Sequence, residues 1–372
     1  MTATRRRLAT IATAAVATIA TGAGLALVPG TADAGVSASA AARAQADAGT
    51  WLARQINGRG VVYNAQYQFD DLSTTVDVAS YLRTTDRFAG TIARADAALA
   101  KGVDAYTTFD GTVYGGATAK LTAYVARSRQ DATDFGGVDL KQRLEAAIAT
   151  EAPLNGRLQD SAGPDYSNTI GQAFAVEALA RLRSGRAADA IGYLVRQQCS
   201  TGAFRVYFSA KTAEQQRCVT GAEGSEPSID ATAFAVLALK AARTASNADT
   251  IDPVLSQARR YLVDHQFSSG AFTDGGGLGV NTNSTGLAGT ALAALKACGP
   301  AADAARWVLG RQVKRDASGP LGTQVGAIAY DPAAFKAGQA DGITTETRGQ
   351  WRLASAQAAS SLDYLLVSAC RA

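Results

Sequence analysis

The chain has 372 residues, of which 47% are hydrophobic and 18% charged, and its formal net charge is +4. This composition supports a sizeable hydrophobic core and argues against intrinsic disorder. The charge is too small for a strongly basic nucleic-acid-binding protein, and a single histidine, His265, excludes a multi-histidine metal site. We therefore expect a globular protein that binds no nucleic acid and needs no metal or cofactor.

The first 34 residues have the pattern of an export signal. Arg5-Arg6-Arg7 precedes an apolar stretch, and Ala32-Asp33-Ala34 has the small-x-small pattern of a cleavage site. A transmembrane anchor is the alternative, but the many Thr and Gly residues favour a cleaved signal. No later segment has the ~18 consecutive apolar residues that span a bilayer. We expect 1–34 to be removed, 35–41 to form a flexible lead, and 42–372 to fold as one secreted, monomeric domain.

A repeated motif dominates the rest of the sequence. Two copies have an aromatic residue followed by leucine, then a glutamine, a glycine and a second aromatic residue at the same spacing. The clearest copies are Tyr193-Leu194-x3-Gln198-x3-Gly202-x-Phe204 and Tyr261-Leu262-x3-Gln266-x3-Gly270-x-Phe272. Looser copies are Trp51-Leu52 with Gln55 and Gly60, and Trp307-Val308 with Gln312 and Gly319. Repeats of about fifty residues indicate an architecture assembled from similar helical units.

Two kinds of helix alternate along these repeats. The first kind, around residues 258–265, carries charged residues between its apolar positions, so one face meets solvent. The second kind, around residues 231–242, is apolar and small-sided nearly all round, which indicates burial on every face. Six such pairs predict an all-α fold, an (α/α)6 toroid with a small-sided inner ring and an amphipathic outer ring. An open solenoid satisfies the same pattern.

All four cysteines follow the export signal: Cys199, Cys218, Cys298 and Cys370. An even number in an exported chain suggests two disulfides, for which three pairings exist. We favour Cys199–Cys218, which would staple one long loop, and Cys298–Cys370, which would tie down the carboxy terminus. A zinc site is the alternative, but the sequence has no C-x-x-C spacing and no nearby histidine.

The repeats resemble those of the squalene–hopene cyclase and protein prenyltransferase superfamily, with Phe204 and Phe272 where that superfamily usually has tryptophan. In that superfamily the motif is architectural, since the glutamine joins neighbouring helix ends and the aromatic residue packs beneath it. The resemblance therefore implies a fold and no particular activity. It also implies a ligand cavity at the amino ends of the inner helices.

The catalytic motifs of these relatives are incomplete here. Triterpene cyclases carry D-x-D-D-T-A before an inner helix, and the matching stretch is 228–233, in which Asp230 stands at the proton donor's position. Ser228 and Ala231 replace the flanking carboxylates that would tune such an acid. The zinc ligands of protein prenyltransferases, Asp, Cys and His, are not supplied by a chain with one histidine and oxidised cysteines.

A third resemblance is to transcobalamin and intrinsic factor, which are extracellular corrinoid carriers built on the same toroid. Their inner helices begin with runs similar to Asp230–Leu239. Export, disulfides and missing catalytic residues all suit such a carrier.

Polar residues near the starts of the inner helices are the candidates for a site. Four of them each stand two positions before a threonine that opens an inner helix: Ser73, Ser167, Asp230 and Asn283. We expect these residues to cap the helices, to line a cavity, or to do both. Buried polar residues such as Asp77 need either a neighbouring helix or a ligand as a partner. The candidate ligand-binding residues are Asp71, Asp77, Tyr114, Asp165, Tyr166, Asp230, Asn283 and Trp351.

Our leading hypothesis is an exported, non-catalytic toroid that binds a small hydrophobic or corrinoid-like ligand. One alternative is a divergent terpenoid cyclase that uses Asp230 as its acid. A second carboxylate close to Asp230, such as that of Asp71 or Asp165, would favour this alternative. Another alternative is a protein-interaction module of the cell envelope, which would have a filled centre.

Overall fold

The computed structural model describes residues 36–275 and 277–371, so the expected export signal at 1–34 lies outside the described residues. The first helix begins at Ala38, within the segment expected to be a flexible lead. It begins there because the Ser37 side chain accepts a hydrogen bond from the Ala40 amide, which satisfies one unpaired donor of the first turn.

Helices make up most of the described chain, and only short strands accompany them. The helices are α1 (Ala38–Ala53), α2 (Leu72–Leu82), α3 (Ala89–Lys101), α4 (Val103–Thr107), α5 (Gly115–Arg127), α6 (Leu140–Ala146), α7 (Thr169–Arg181), α8 (Ala187–Val195), α9 (Ile229–Ala242), α10 (Ala248–Asp264), α11 (Thr282–Ala294), α12 (Cys298–Leu309), α13 (Pro332–Asp341), α14 (Thr345–Ala358) and α15 (Val367–Arg371). Three antiparallel pairs are formed by β1 (Val62–Asn64) with β2 (Phe69–Asp71), β3 (Thr108–Phe109) with β4 (Thr112–Val113), and β5 (Phe204–Arg205) with β6 (Pro227–Ser228).

Within the described residues, the inner ring consists of α2, α5, α7, α9, α11 and α14, each packed against the next. Contacts between α14 and α2 close this ring, which distinguishes it from an open solenoid. Outside it lie α1, α3, α6, α8, α10 and α12, each in contact with an inner helix. The prediction of an all-α toroid is confirmed. Across the two described ranges, no helix combines the length and hydropathy that a membrane crossing requires.

Small side chains allow the inner helices to approach closely. A Cβ on Gly286 of α11 would lie 2.4 Å from the Cα of Ala358 in α14, and one on Gly289 would lie 2.9 Å from Ala304 in α12. Both distances are shorter than any real contact, so only glycine fits at these crossings. This close packing explains why the inner helices are rich in alanine and glycine.

The repeated glutamines join neighbouring outer helices, as the resemblance implies. The Gln198 side chain donates hydrogen bonds from Nε2 to the carbonyls of Gly202 and of Val254 in α10, at 3.0 and 2.9 Å. Gln266 makes the equivalent bonds to Gly270 and to α12. Gln312 donates to the carbonyl of Ala44 at 2.9 Å and so joins α12 to α1, where the ring closes.

The glycine of the motif is required by its backbone conformation and by its neighbours. Gly202 has φ +93°, and a Cβ there would lie 2.5 Å from the carbonyl oxygen of Gln257 in α10. In the copy that begins at Trp307 the equivalent glycine is Gly326, not Gly319 as the sequence suggested. Gly326 has φ +94°, and its Cβ would lie 2.0 Å from the carbonyl oxygen of Asp47 in α1. Each loop therefore lies directly against the backbone of the next outer helix, which only a residue without a side chain permits.

Both favoured disulfides are present. Cys199–Cys218 joins the end of α8 to the long loop before α9, and Cys298–Cys370 joins α12 to α15, with Cα–Cα distances of 5.0 and 5.4 Å. The two disulfides are compatible with an extracellular location.

Candidate functional site

One side chain in each of five inner helices sets the position of that helix relative to the loop before it. Thr75 accepts a hydrogen bond from the Val62 amide, and Thr232 accepts one from the Phe204 amide, both at 2.9 Å. The remaining equivalent pairs are Gln172 with Leu158, Thr285 with Phe272, and Ser355 with Ile328. Because these bonds recur at the same place in each repeat, positions counted from them are equivalent around the ring.

The residues two positions after these side chains face the axis of the toroid, together with Lys120 of α5. The six residues line one central cavity: Asp77, Lys120, Phe174, Phe234, Leu287 and Gln357. Its volume is about 320 Å³. We call it the central cavity.

The central cavity lies in the middle and the carboxy-terminal halves of the inner helices. Its other lining residues include Thr84 after α2, Arg127 at the end of α5 and Ala241 near the end of α9. The resemblance had implied a cavity at the amino ends instead. The difference arises because the axial residues there bond to one another: Lys120 donates to Ser73, at 3.0 Å, and Asn283 donates to Gln357, at 2.6 Å.

A buried ion pair lies in the wall of the central cavity. Lys120 Nζ lies 2.8 Å from the Asp77 carboxylate, and the side chains are only 16% and 18% exposed. Burial acts to lower the pKa of Lys120, but Asp77, together with Tyr106 and Asp71, outweighs that effect and raises the pKa above its usual range. Lys120 is therefore charged and already neutralised before any ligand enters.

A second charged group lies toward the mouth of the cavity. Glu177 accepts two hydrogen bonds from Arg127, at 3.0 and 2.7 Å, and one from Arg181 at 2.9 Å. Burial acts to raise the pKa of Glu177, but the two guanidinium groups outweigh it and lower that pKa. Polar groups in this cavity are thus largely satisfied by one another.

The remaining wall is apolar. Phe174 and Phe234, from adjacent helices, have ring centroids 5.3 Å apart, within the range of favourable aromatic pairs. Leu237 and Leu287 continue this wall. A ligand in the cavity would therefore contact aromatic and aliphatic carbon on one side and paired charges on the other.

The four residues expected to cap inner helices do not cap them. Helices α2, α9 and α11 begin earlier than the threonine pattern suggests, and α7 begins one residue later. The side chains that accept hydrogen bonds from first-turn amides are instead Asp71, Asn168, Ser228 and Asn281. Asp230 therefore lies inside the first turn of α9, free of a capping role.

The Asp230 carboxylate is buried beside a second acid. Its Oδ1 atom has no hydrogen-bond partner among the described residues. Asp274 lies next to it, since Asp274 Oδ1 accepts hydrogen bonds from the Asp230 amide at 2.9 Å and from the Ser228 hydroxyl at 2.7 Å. Burial, and then the charge of Asp274, raise the pKa of Asp230 to about 7. An acid with such a pKa is able to exchange protons near neutral pH.

The other candidate residues do not converge on a single site. Asp71 caps α2, and Asp165 pairs with Arg157 at 2.8 Å, so neither approaches Asp230 as suggested. Trp351 lies inside α14 and is only 1% exposed, so it does not line a binding site. Tyr114 and Tyr166 lie at the amino-end face with ring centroids 6.3 Å apart.

Sequence reasoning missed Lys120, Phe174, Phe234, Arg127 and Asp274. A signal for the first three was available, since each lies at the same position in its repeat as Asp77. In α7 the signal for Phe174 was hidden, because Gln172 stands where the neighbouring helices have a hydroxyl and the alignment of that helix shifted to Thr169. For Asp274 the sequence has no signal, because its position depends on how its loop folds over α9.

No known sequence family matches the chain, and no curated protein is detectably similar. Solved structures are similar in fold. The type II terpene cyclase MstE from Scytonema has TM-score 0.57 and 15% identity, covering 89% of this chain and 98% of its own. Unsaturated glucuronyl hydrolase from Bacillus sp. GL1 has TM-score 0.59 and 11% identity, and the match covers 87% of this chain and 96% of the hydrolase. A protein from Actinoplanes has TM-score 0.55 and 14% identity, and the match covers 87% of this chain and 99% of that protein.

At these identities the similarity establishes the fold alone. The chain is an α/α toroid. The two neighbours that are named by function, a terpene cyclase and a glucuronyl hydrolase, share this fold and are enzymes.

Proposed function

We propose that the chain is an exported toroid that binds a small, mainly apolar molecule in the central cavity without transforming it. The observation that carries this proposal is that the charged groups in the cavity already neutralise one another, as in Asp77–Lys120 and Arg127–Glu177–Arg181. A ligand there gains chiefly from burial against Phe174 and Phe234. These charged side chains are paired with one another and are not needed to bind a charged group of the ligand.

The size of the cavity narrows the ligand class. A volume of about 320 Å³ is near the lower end of the ~300–1,000 Å³ range of small-molecule sites. A corrinoid is much larger than this space, so the proposal is a compact apolar ligand.

Closing the cavity mouth tests this proposal. Ala241 is exposed and lines the cavity, so Ala241→Trp adds a large side chain at the mouth with little effect on the core. We expect it to weaken binding of an apolar dye such as Nile red at least tenfold, measured by fluorescence titration. Ala97→Trp, on the exposed face of α3, is the control and should bind as the unmodified protein does. Equal binding by all three proteins would contradict the proposal.

A second candidate function is an acid-catalysed reaction of a polyene at Asp230. It is supported by the raised pKa of Asp230, its unpaired Oδ1 among the described residues, and the neighbouring Asp274. The structural neighbour from Scytonema is a type II terpene cyclase, also solved with geranylgeranyl dihydroxybenzoate as substrate. Pairs of acids in which one pKa is raised are typical of acid–base sites.

Asp230→Asn distinguishes the two functions. Under the binding proposal, neither the unmodified protein nor the variant converts squalene or a shorter polyprenol. Turnover by the unmodified protein that is lost in Asp230→Asn, but retained in the cap-preserving control Asp71→Asn, would replace binding by catalysis as the function.

Asp230→Asn is also expected to change how the stability of the protein depends on pH, with or without a ligand. The pKa of Asp230 is raised from about 3.9 when unfolded, so the folded chain binds a proton more readily between about pH 4 and 7. Stability should therefore decrease as pH rises through this window. Asp230→Asn should flatten the decrease in urea titrations at several pH values, and an unchanged slope would contradict the environment assigned to Asp230.

A further inference from the structure

A second cleft lies away from the central cavity, where the end of α1 meets α14. It has a volume of about 500 Å³. Its lining residues include three arginines, namely Arg54, Arg348 and Arg352, together with Asn57 and Tyr63. We call it the arginine cleft.

The positive charges of the arginine cleft are not neutralised within it. No carboxylate is among its lining residues, and none of the three arginines forms a salt bridge with another described residue. Burial and the neighbouring Arg348 lower the pKa of Arg352 to about 10, and the opposing charge of Asp71, which lies outside the cleft lining, does not offset them. In the central cavity, by contrast, Asp77 and Glu177 offset the cationic side chains.

The backbone and side chains around Arg352 hold its guanidinium in a fixed orientation. Nε donates to Gln55 Oε1 at 3.0 Å and Nη1 donates to the Tyr63 carbonyl at 2.8 Å. Its Nη2 has no hydrogen-bond partner within the described part of the chain. Asn57 Oδ1 is occupied by the amides of Arg59 and Val61, which leaves its NH2 group available to donate.

We propose that the arginine cleft binds the oxyanion group of a small ligand, a carboxylate, phosphate or sulfate. The planar fork of a guanidinium matches such groups geometrically, and a fixed guanidinium loses little freedom when it binds. Arg348 and Arg54 supply further positive charge on the same cleft, and Asn57 supplies a neutral donor. This site is separate from the central cavity and does not depend on what that cavity binds.

Titration with inorganic phosphate, sulfate and acetate, followed by calorimetry at low salt, tests the proposal with the full chain. We expect saturable binding of at least one anion, and the preferred anion identifies the ligand as a phosphoryl, sulfuryl or carboxyl compound. Arg348→Gln should weaken that binding about tenfold or more, since it removes a charged hydrogen-bond donor. Arg54→Gln, at an exposed position, should weaken it without affecting the fold.

Arg260→Gln is the charge-matched control, because Arg260 is exposed on α10 and, among the residues that the structure describes, its side chain bonds only to Ser256. It should bind the anion as the unmodified protein does. Absence of saturable binding by any of the three anions would overturn the proposal. So would an equal loss in Arg260→Gln and Arg348→Gln, because that result would indicate a general effect of net charge.

Discussion

Gly326→Ala is expected to destabilise the fold by about 4 kcal/mol, which combines backbone strain with a steric clash of a few kcal/mol. The φ angle of Gly326 is +94°, and the added Cβ would lie 2.0 Å from the carbonyl oxygen of Asp47. To relieve this clash, the loop must move away from α1 and break the contact at which the ring closes. Chemical denaturation followed by circular dichroism measures the change.

Gly319→Ala is the matched control. Gly319 also has a positive φ, +63°, but nothing lies within 4 Å of the Cβ that would be added there. It should therefore show only the conformational penalty, about 1 kcal/mol. If the two variants lost the same stability, the close contact between the loop and α1 would have no energetic importance.

Asp77→Asn is expected to cost about 3 kcal/mol, because it leaves the buried Lys120 charge without its partner. The additional replacement Lys120→Met should restore much of this loss, since it removes the charge that was left unpaired. Asp252→Asn breaks an exposed pair with Arg243 and should change stability little. Thermal and urea unfolding of the four proteins provide the comparison.

The pH dependence of the Asp77→Asn variant gives an independent check. Without Asp77, the largest effect that opposes burial is lost and only the charges of Tyr106 and Asp71 remain, so we expect the pKa of Lys120 in the folded state to fall below its unfolded value. The unfolded chain then binds the proton more readily. The stability of the variant should increase as pH rises from the lowered pKa toward the unfolded value. If the stability difference between the variant and the unmodified protein did not change with pH, the buried pairing of Lys120 with Asp77 would be contradicted.

The sequence was sufficient to predict the toroid because its architecture depends on local, repeated features. The spacing of Gln198, Gly202 and Phe204 recurs at Gln266, Gly270 and Phe272, and each feature has the same structural role in both copies. The alternation of amphipathic and small-sided helices predicts which helices are inside. Both disulfides were also predicted correctly, but from chemical plausibility rather than from geometry.

The site was predicted less well because it depends on the exact rotation of each inner helix. Asp77 was identified as a polar residue in an apolar helix, yet its partner Lys120 comes from another helix, α5, and equivalent repeat positions do not by themselves show that the two side chains meet. The early start of α9 removed Asp230 from the expected capping position. The pairing of Asp230 with Asp274 depends on a loop, and loop positions do not follow from periodicity.

The closure of the ring between α12 and α1 has a consequence for how the chain acquires its structure. The hydrogen bond from Gln312 to Ala44 joins residues 268 positions apart, so this interface forms only after most of the polypeptide has been synthesised. Contacts so distant in sequence slow folding, because a long loop must close before they form. Until then, the helices destined for the interior remain exposed, and they are the segments on which an aggregating chain would associate.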